Sequence, residues 1–451
     1  MRPDKPPCFD PNDARYWDIA DLQEELTRVF GICHGCRMCV GYCPSFPRMF
    51  KAIDVAEEAG QGEVNALVKL DYDEVNDLCY QCKLCYIKCP YTPDDKHDFM
   101  LDFPRLMLRQ KAQRARSEGI PLQDKLLGEP QKLGKMASGA MAPIMNFVSE
   151  SRLLRKAQQA VTGISADFNL PPFARTTLRD WFDNREQQHK AGTHGEVVIF
   201  STCTSNYNMP TTGIAAVQVL EHNGLKVHYP ADQTCCGMPN MDGGDVSAAQ
   251  KKARQNVAAL LPYVERGLPV VVPGPTCSYV LKKEYPELLG TDDARQVAES
   301  TFDLMEFLRN KWRDKTLSRE FAKPLGNIAY HAACHLRAQK IGAPGRILLA
   351  KVPDTEVDLV EECSAVDGTW GMKAQFYELG EHYAQKLING LRDVKYDAVA
   401  TDCPLSGQRI AQSLGTAAYH PVELLNRAYG LPDVAPASPE KKKSTALGKN
   451  Y

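Results

Sequence analysis

Cysteine appears twice in this chain as the same comb. Cys33, Cys36, Cys39 and Cys43 stand before Pro44, and Cys79, Cys82, Cys85 and Cys89 stand before Pro90. Each stretch reads C-x2-C-x2-C-x3-C-P, a run that holds cubane [4Fe–4S] clusters. A cubane takes one thiolate at each iron. Three cysteines separated by pairs of residues wrap three corners from one tight loop. The fourth reaches away, and where two combs occur together it ligates the other cluster. The expected ligand sets are therefore Cys33, Cys36, Cys39 with Cys89, and Cys79, Cys82, Cys85 with Cys43. The proline after each fourth cysteine has no amide proton and turns the chain out of the loop.

Zinc also accepts four thiolates, but two matching four-cysteine combs in one chain are hard to reach by that route. A disulfide framework belongs to small secreted chains. This chain has 451 residues, and Met1 to Pro7 carry no apolar stretch behind their charges. The expectation is a reducing, cytoplasmic compartment, with any attachment to the inner face of the cell membrane made through a partner. A formal net charge of −2 gives no support for a nucleic-acid partner. No window reaches the ~18 uninterrupted apolar residues that span a bilayer, so membrane contact is expected to be peripheral.

The fold class expected is multi-domain α+β. Residues 1–110 read as a helical two-cluster domain, because the 35 residues between Cys43 and Cys79 exceed what a minimal two-cluster fold uses and carry helical pattern. Residues 111–192 are rich in Lys, Arg and Gln and read as a helical connector. Within it Met136–Val148 is apolar, read as a packing segment or, more sharply, as a partner or membrane-surface contact. Residues 193–322 and 323–432 read as two α/β modules, and 433–451 as a flexible tail.

The two modules look duplicated. Short apolar strands lead into Cys203, Cys235-Cys236 and Cys277 in the first, and into Cys334, Cys363 and Cys403 in the second. Offsets of 131, 127 and 126 between Cys203 and Cys334, Cys236 and Cys363, and Cys277 and Cys403 point to an internal repeat. Strands alternating with helices imply parallel sheets, whose ligands gather beyond the carboxyl ends of the strands. Those ends are where these cysteines fall.

The quartet Cys203, Cys235-Cys236-Gly237 and Cys277 resembles the cysteine-rich CCG module. That module is found twice in heterodisulfide reductase catalytic subunits. Behind a two-cluster ferredoxin domain, it also occurs in glycolate oxidase iron–sulfur subunits and in the C-subunit of anaerobic glycerol-3-phosphate dehydrogenase. The resemblance extends over nearly the whole chain, through Cys235-Cys236-Gly237-Met238-Pro239 and Gly368-Thr369-Trp370-Gly371-Met372. It implies an electron-transfer subunit beside a flavoprotein dehydrogenase, with one or more further iron–sulfur clusters in the modules. The terminal C-x2-C of the family is Cys277 then Val280 in the first copy, and Cys403 then Ser406 in the second. Where the first copy has Cys235-Cys236-Gly237, the second reads Glu362-Cys363-Ser364. Four thiolates remain in one copy and three in the other, with His331, His335 and Asp402 as candidate substitutes, or all seven cysteines share one composite site.

The remaining candidates are weaker. Cys8 reads as incidental, His420 as a capping or packing residue at the start of a helix signal, and Trp370 as core packing before cofactor stacking. Lys83 and Arg37, inside the combs, read either as charges that ease cluster reduction and steer an acidic carrier or as solvated loop residues. No G-x-G-x-x-G after a strand, P-loop or H-E-x-x-H is present, so nothing announces a flavin or nicotinamide site. The economical reading is a wire: a flavin-containing dehydrogenase or other redox protein exchanges electrons with this chain, which relays them singly to or from a quinone, a small carrier or another protein. The alternatives are a reductase in its own right, with thiol or disulfide chemistry at a module cluster, and a zinc-structured scaffold.

Overall fold

The computed structural model describes residue 3 and residues 5–186, 192–366 and 368–434. The expected tail from Ala435 to Tyr451, and Met1, Arg2 and Asp4 of the leader, lie outside the described residues.

The N-terminal domain is helical. Asp18 caps helix Ile19–Cys36 by accepting hydrogen bonds from the Ala20 and Asp21 amides, and Arg37 ends the helix in the left-handed conformation. One turn of this helix therefore presents Cys33 and Cys36 on a single face. Helix Ser45–Glu58 begins immediately after Cys43-Pro44. Helix Lys69–Asp77 leads into the second comb, and helix Leu84–Lys88, which carries Cys85, lies within it. Phe30, Phe46, Met49, Ile53, Val75 and Leu106 form the core between them. Helix Phe103–Glu118 closes the domain and runs on past residue 110. Its buried Arg109 holds the leader segment, donating to the Tyr16 carbonyl at 2.8 Å and pairing with Asp21 at 2.9 Å.

After short connecting helices between Leu122 and Asn184, the chain forms two modules, each built on a four-stranded parallel sheet of the same order. Strands β1 (Glu196–Ile199), β2 (Lys226–His228), β3 (Val270–Val272) and β4 (Thr301–Asp303) lie in the order β2-β1-β3-β4. Strands β5 (Gly326–His331), β6 (Thr355–Val360), β7 (Ala398–Thr401) and β8 (Ala418–Tyr419) lie in the order β6-β5-β7-β8. The duplication read from the cysteine offsets is thus a duplication of topology. Strand β1 is apolar throughout its centre because both of its faces are covered. Val198 packs toward helix Val246–Val264, while Val197 and Ile199 face a core that the two modules share, which includes Leu304, Leu348, Val422 and Leu425.

The modules meet reciprocally. Helix Pro210–His222, which follows β1, packs on helix Pro421–Ala428, which follows β8. Helix Leu304–Arg313, which follows β4, packs on helix Pro344–Leu349, which follows β5. Each contact is the other with the copies exchanged, so the pair has a pseudo-twofold relation. The second module also docks on the helical domain. Trp370 is buried in that domain's core, stacks on Phe376 at 4.8 Å and donates to the Asp77 carbonyl at 2.8 Å. Trp370 is a packing residue.

Candidate metal centres and the junction between them

Register explains where the module cysteines sit. His331 of β5 pairs with Val360 of β6 and with Thr401 of β7. Cys334, Cys363 and Cys403 lie just beyond those three residues, past the carboxyl ends of three adjacent strands. Cys203, Cys235-Cys236 and Cys277 lie somewhat further beyond β1, β2 and β3.

The structure gathers the comb cysteines in two groups. Cys33, Cys36, Cys39 and Cys89 line one small apolar cavity walled by Phe46, Phe50 and Leu101. Burial, and then the neighbouring thiols, hold Cys33 well above the ordinary thiol range and push Cys39 up to about 12. Cys43, Cys79, Cys82 and Cys85 are buried deeper. Burial, with Cys79 as the next cause, pushes Cys43 up to about 12, and Cys43 and Cys79 raise Cys85 further. Packed thiols of this kind resist ionisation without a cation among them. That donor chemistry fits iron, which binds the thiolate and compensates its charge.

Both combs use one backbone device. Arg37, between Cys36 and Cys39, and Lys83, between Cys82 and Cys85, are non-glycine residues at φ 52° and 63°. A left-handed residue costs about 1 kcal/mol for an L side chain and persists where the surroundings impose it. The two charges then diverge. Arg37 stays at the surface and pairs with Asp54. Lys83 is 2% exposed and pairs with Glu284 at 3.2 Å, so it is neither a solvated loop charge nor a steering group. Burial opposes its charge, but Glu284 and Asp102 more than offset that and raise its pKa. Lys83 donates to the Gln81 side-chain carbonyl at 3.0 Å, and the Gln81 amide reaches Cys79 Sγ at 3.4 Å.

In the first module four thiols touch in series. Cys235 accepts hydrogen bonds from Cys203, Cys236 and the Gly237 amide, which hold its thiol well below the ordinary range. The same bonds, first the one to Cys235, raise Cys203 and Cys236, and Cys236 also bonds Cys277. Asn256 and Tyr285 fasten the loop, bonding the Cys235 and Cys236 carbonyls at 3.1 and 3.0 Å.

The second module corrects the repeat alignment. The Gly237 amide donates to Cys235 Sγ at 3.5 Å, with Gly237 at φ 93°. The Ala365 amide donates to Cys363 Sγ at 3.2 Å, with Ala365 at φ 48°. Cys363 is therefore the counterpart of Cys235, not of Cys236, and Ser364 stands where the first copy has Cys236. Ser364 and Ser406 hydroxyls bond each other at 2.8 Å. Both positions that lack a thiol are thus joined in one polar pair. Of the candidate substitutes, His331 is already engaged, while Asp402 keeps its Oδ1 without a partner among the described residues. His331 bonds the Thr401 hydroxyl and the Glu362 carbonyl, at 2.9 and 3.1 Å. Burial pushes the Asp402 carboxyl up to about 8, and Tyr330 donates to it.

His335 is also engaged, and its partners are unexpected. It is 2% exposed and burial lowers its pKa to about 4. Its Nε2 bonds the Gln81 carbonyl at 3.0 Å and its Nδ1 the Thr276 hydroxyl at 2.9 Å. A carbonyl only accepts, so Nε2 carries the proton and Nδ1 accepts from Thr276. Gln81 precedes Cys82, Thr276 precedes Cys277, and His335 follows Cys334. One imidazole therefore ties the second comb, the first module and the second module together at their cysteine loops. Cys363 adds a contact to Tyr80 of the second comb at 3.5 Å. Cys8 joins none of these groups and packs with Tyr16 and Ala112.

Comparison with known proteins agrees with this layout. The cysteine-rich domain (CCG) family matches residues 197–282 and 328–405, and the Citrate utilization protein B Fer4-like domain matches residues 26–117. Lactate utilization protein A of Bacillus pumilus is 32% identical over 187 residues, 40% of this chain and 75% of that protein. The chain belongs to the cysteine-rich (CCG) domain family of iron–sulfur proteins. The C-subunit of anaerobic glycerol-3-phosphate dehydrogenase from Escherichia coli is 28% identical to this CCG-domain protein over 313 residues, covering 68% of the chain and 77% of the relative. The glycolate oxidase iron-sulfur subunit of the same species is 23% identical over 419 residues, 90% and 95% of the two chains. Among the described residues of the CCG-domain protein, no helix is long and apolar enough to cross a membrane.

Proposed function

We propose that the chain is the electron-transfer subunit of an oxidoreductase complex and that its cysteines form a relay in series. Cys33, Cys36, Cys39 and Cys89 hold one [4Fe–4S] cluster near the surface; Cys79, Cys82, Cys85 and Cys43 hold a second, buried one. Cys203, Cys235, Cys236 and Cys277 hold a further iron–sulfur centre, with Cys334, Cys363 and Cys403 as a three-thiolate site beside it. When bound, these clusters supply one-electron chemistry, which is what a flavin-containing partner needs in order to split a two-electron oxidation.

The observation that carries the reading is the His335 junction, where the second comb meets both module sites across two hydrogen bonds. The chain's own residues do the rest. Gln81 directs an amide at Cys79, which favours a reduced, more negative cluster, and Lys83, paired with Glu284, holds the Gln81 side chain in place. Met38 and Val40, each 50% exposed beside Cys39, give a redox partner an apolar footing at the surface end. The self-sufficient reductase is the weaker reading, because two of the five positions in the second module are serine or are held in a serine pair.

Anaerobically purified protein should contain iron and acid-labile sulfide and no stoichiometric zinc. It should accept electrons from dithionite, and the isolated chain should not turn over a thiol or disulfide substrate. Zinc in place of iron, or steady-state disulfide reduction by the chain alone, would sink the proposal.

A further inference from the structure

At the far end of that relay a cavity of about 480 Å³ opens beside Cys203, within the ~300–1,000 Å³ usual for small-molecule sites. Its walls come from the connector and the first module: Lys135, Ser138 and Gly139 from one, Thr202, Cys203 and Gln233 from the other. The connector is held there by Gln131, whose side-chain carbonyl accepts from the Cys235 amide at 2.7 Å. Two features of the cavity point to a ligand. The first is Gln233. It is 9% exposed, and its carbonyl accepts from the Ser201 amide at 3.0 Å, yet its Nε2 finds no hydrogen-bond partner among the described residues. A buried amide donor left unpaired costs free energy that a bound acceptor recovers. Lys135 adds a second donor at the mouth, and Tyr207 and Tyr229 supply flat walls.

The second feature is the chain segment that runs through the lining residues Ser138 and Gly139, the Met136–Phe147 rim. Met136 and Met141 bracket Ser138 and Gly139 in the chain, and helix Ala142–Glu150 follows with Ile144 and Phe147. These four side chains are 74%, 44%, 57% and 68% exposed. A polar cavity with an unpaired donor, next to a candidate cluster ligand and with a lining segment that continues in the chain into exposed apolar side chains, suits an amphipathic acceptor: a flat carbonyl-bearing head with an apolar tail.

We propose that this cavity binds the headgroup of a lipid-soluble quinone, one carbonyl accepting from Gln233 Nε2, with the tail along the Met136–Phe147 rim. The inference rests on the relay reading above and places its small-molecule terminus at the first module. Conversion of the quinone to the quinol takes two electrons, delivered singly through the iron–sulfur chain from the flavoprotein partner, and two protons from water at the open mouth. The reverse reaction returns the same electrons and protons.

Calorimetric titration of the anaerobic full-length holoprotein with menadione (a head without a tail) and with decylubiquinone tests the site. Wild type should bind both. Gln233→Leu and, independently, the surface change Lys135→Met should weaken both by about tenfold, as expected for one lost hydrogen bond. The Ile144→Ser, Phe147→Ser double variant should weaken decylubiquinone alone. Wild-type affinity in Lys135→Met and in a Gln233→Leu protein of unchanged melting temperature would overturn the site. So would absence of quinone binding by protein whose reduced clusters give their EPR signals. Absence of those signals would instead overturn the relay itself.

Discussion

At the scale of single residues, His335 and the serine pair are where function and stability separate. Removing His335 leaves the buried Gln81 carbonyl and Thr276 hydroxyl without their partner, each worth about 1–3 kcal/mol. His335→Leu should therefore lower the unfolding free energy of the holoprotein by a few kcal/mol on that scale, read from urea denaturation under argon. It should also slow electron arrival at the module centre relative to the comb clusters, seen by rapid-freeze EPR, whereas a merely structural residue would change only the first. Unchanged electron arrival would remove His335 from the path. Ser364 and Ser406 make an opposite prediction. Ser364→Cys with Ser406→Cys restores thiols at both positions of the second module, and the iron content per chain should rise. Iron content equal to wild type would mean that this site does not take metal through those positions.

At the scale of elements, the closing helices of the two modules show one design with different chemistry. Asp303 caps helix Leu304–Arg313, and His420 caps helix Pro421–Ala428 through Nδ1 accepting from the Val422 amide at 3.1 Å. Burial lowers the His420 pKa from 6.5 to about 3. A histidine depressed in the fold stays neutral there while the unfolded chain takes up a proton. Its contribution is complete above pH 6.5 and is lost as pH falls toward 3, by at most ~1.4 kcal/mol per unit. His420→Asn keeps the cap and should flatten that part of the stability profile, measured by denaturant titration between pH 7 and 5. An unchanged slope would assign the acid sensitivity elsewhere. His420 was read only as a capping or packing residue at a helix start, whereas the strands entering Cys203 and Cys334 were legible from the sequence because each signal is local. Strands β4 and β8 were not. They read Thr301-Phe302-Asp303 and Ala418-Tyr419, without the apolar run that marks β1 and β3. The pairing of Cys363 with Cys235 was misread by one position, since only the left-handed turns at Gly237 and Ala365 reveal it.

At the scale of the molecule, the domains are joined through their cofactor loops as well as through ordinary surfaces. The combs were readable because thiolate spacing is itself the ligand geometry. The junction was not, because the bond from His335 to Gln81 spans 254 residues of sequence and depends on how the helical domain and the two modules dock. On the proposed reading, that docking sets the comb domain and the two modules in a single line, from partly exposed cysteines at one end to the Cys203 cavity at the other. The central claim is that order. EPR-monitored redox titration of the anaerobic holoprotein, repeated on Cys89→Ser and Cys203→Ser, tests it most directly. The account predicts two magnetically interacting [4Fe–4S] signals and a further centre in wild type. Cys89→Ser should perturb the cluster of Cys33, Cys36 and Cys39 and leave the module centre intact, while Cys203→Ser should remove the module centre and leave both comb signals. A Cys89→Ser protein that instead loses the signal belonging to Cys79, Cys82 and Cys85, or a Cys203→Ser protein with every wild-type signal, would contradict it.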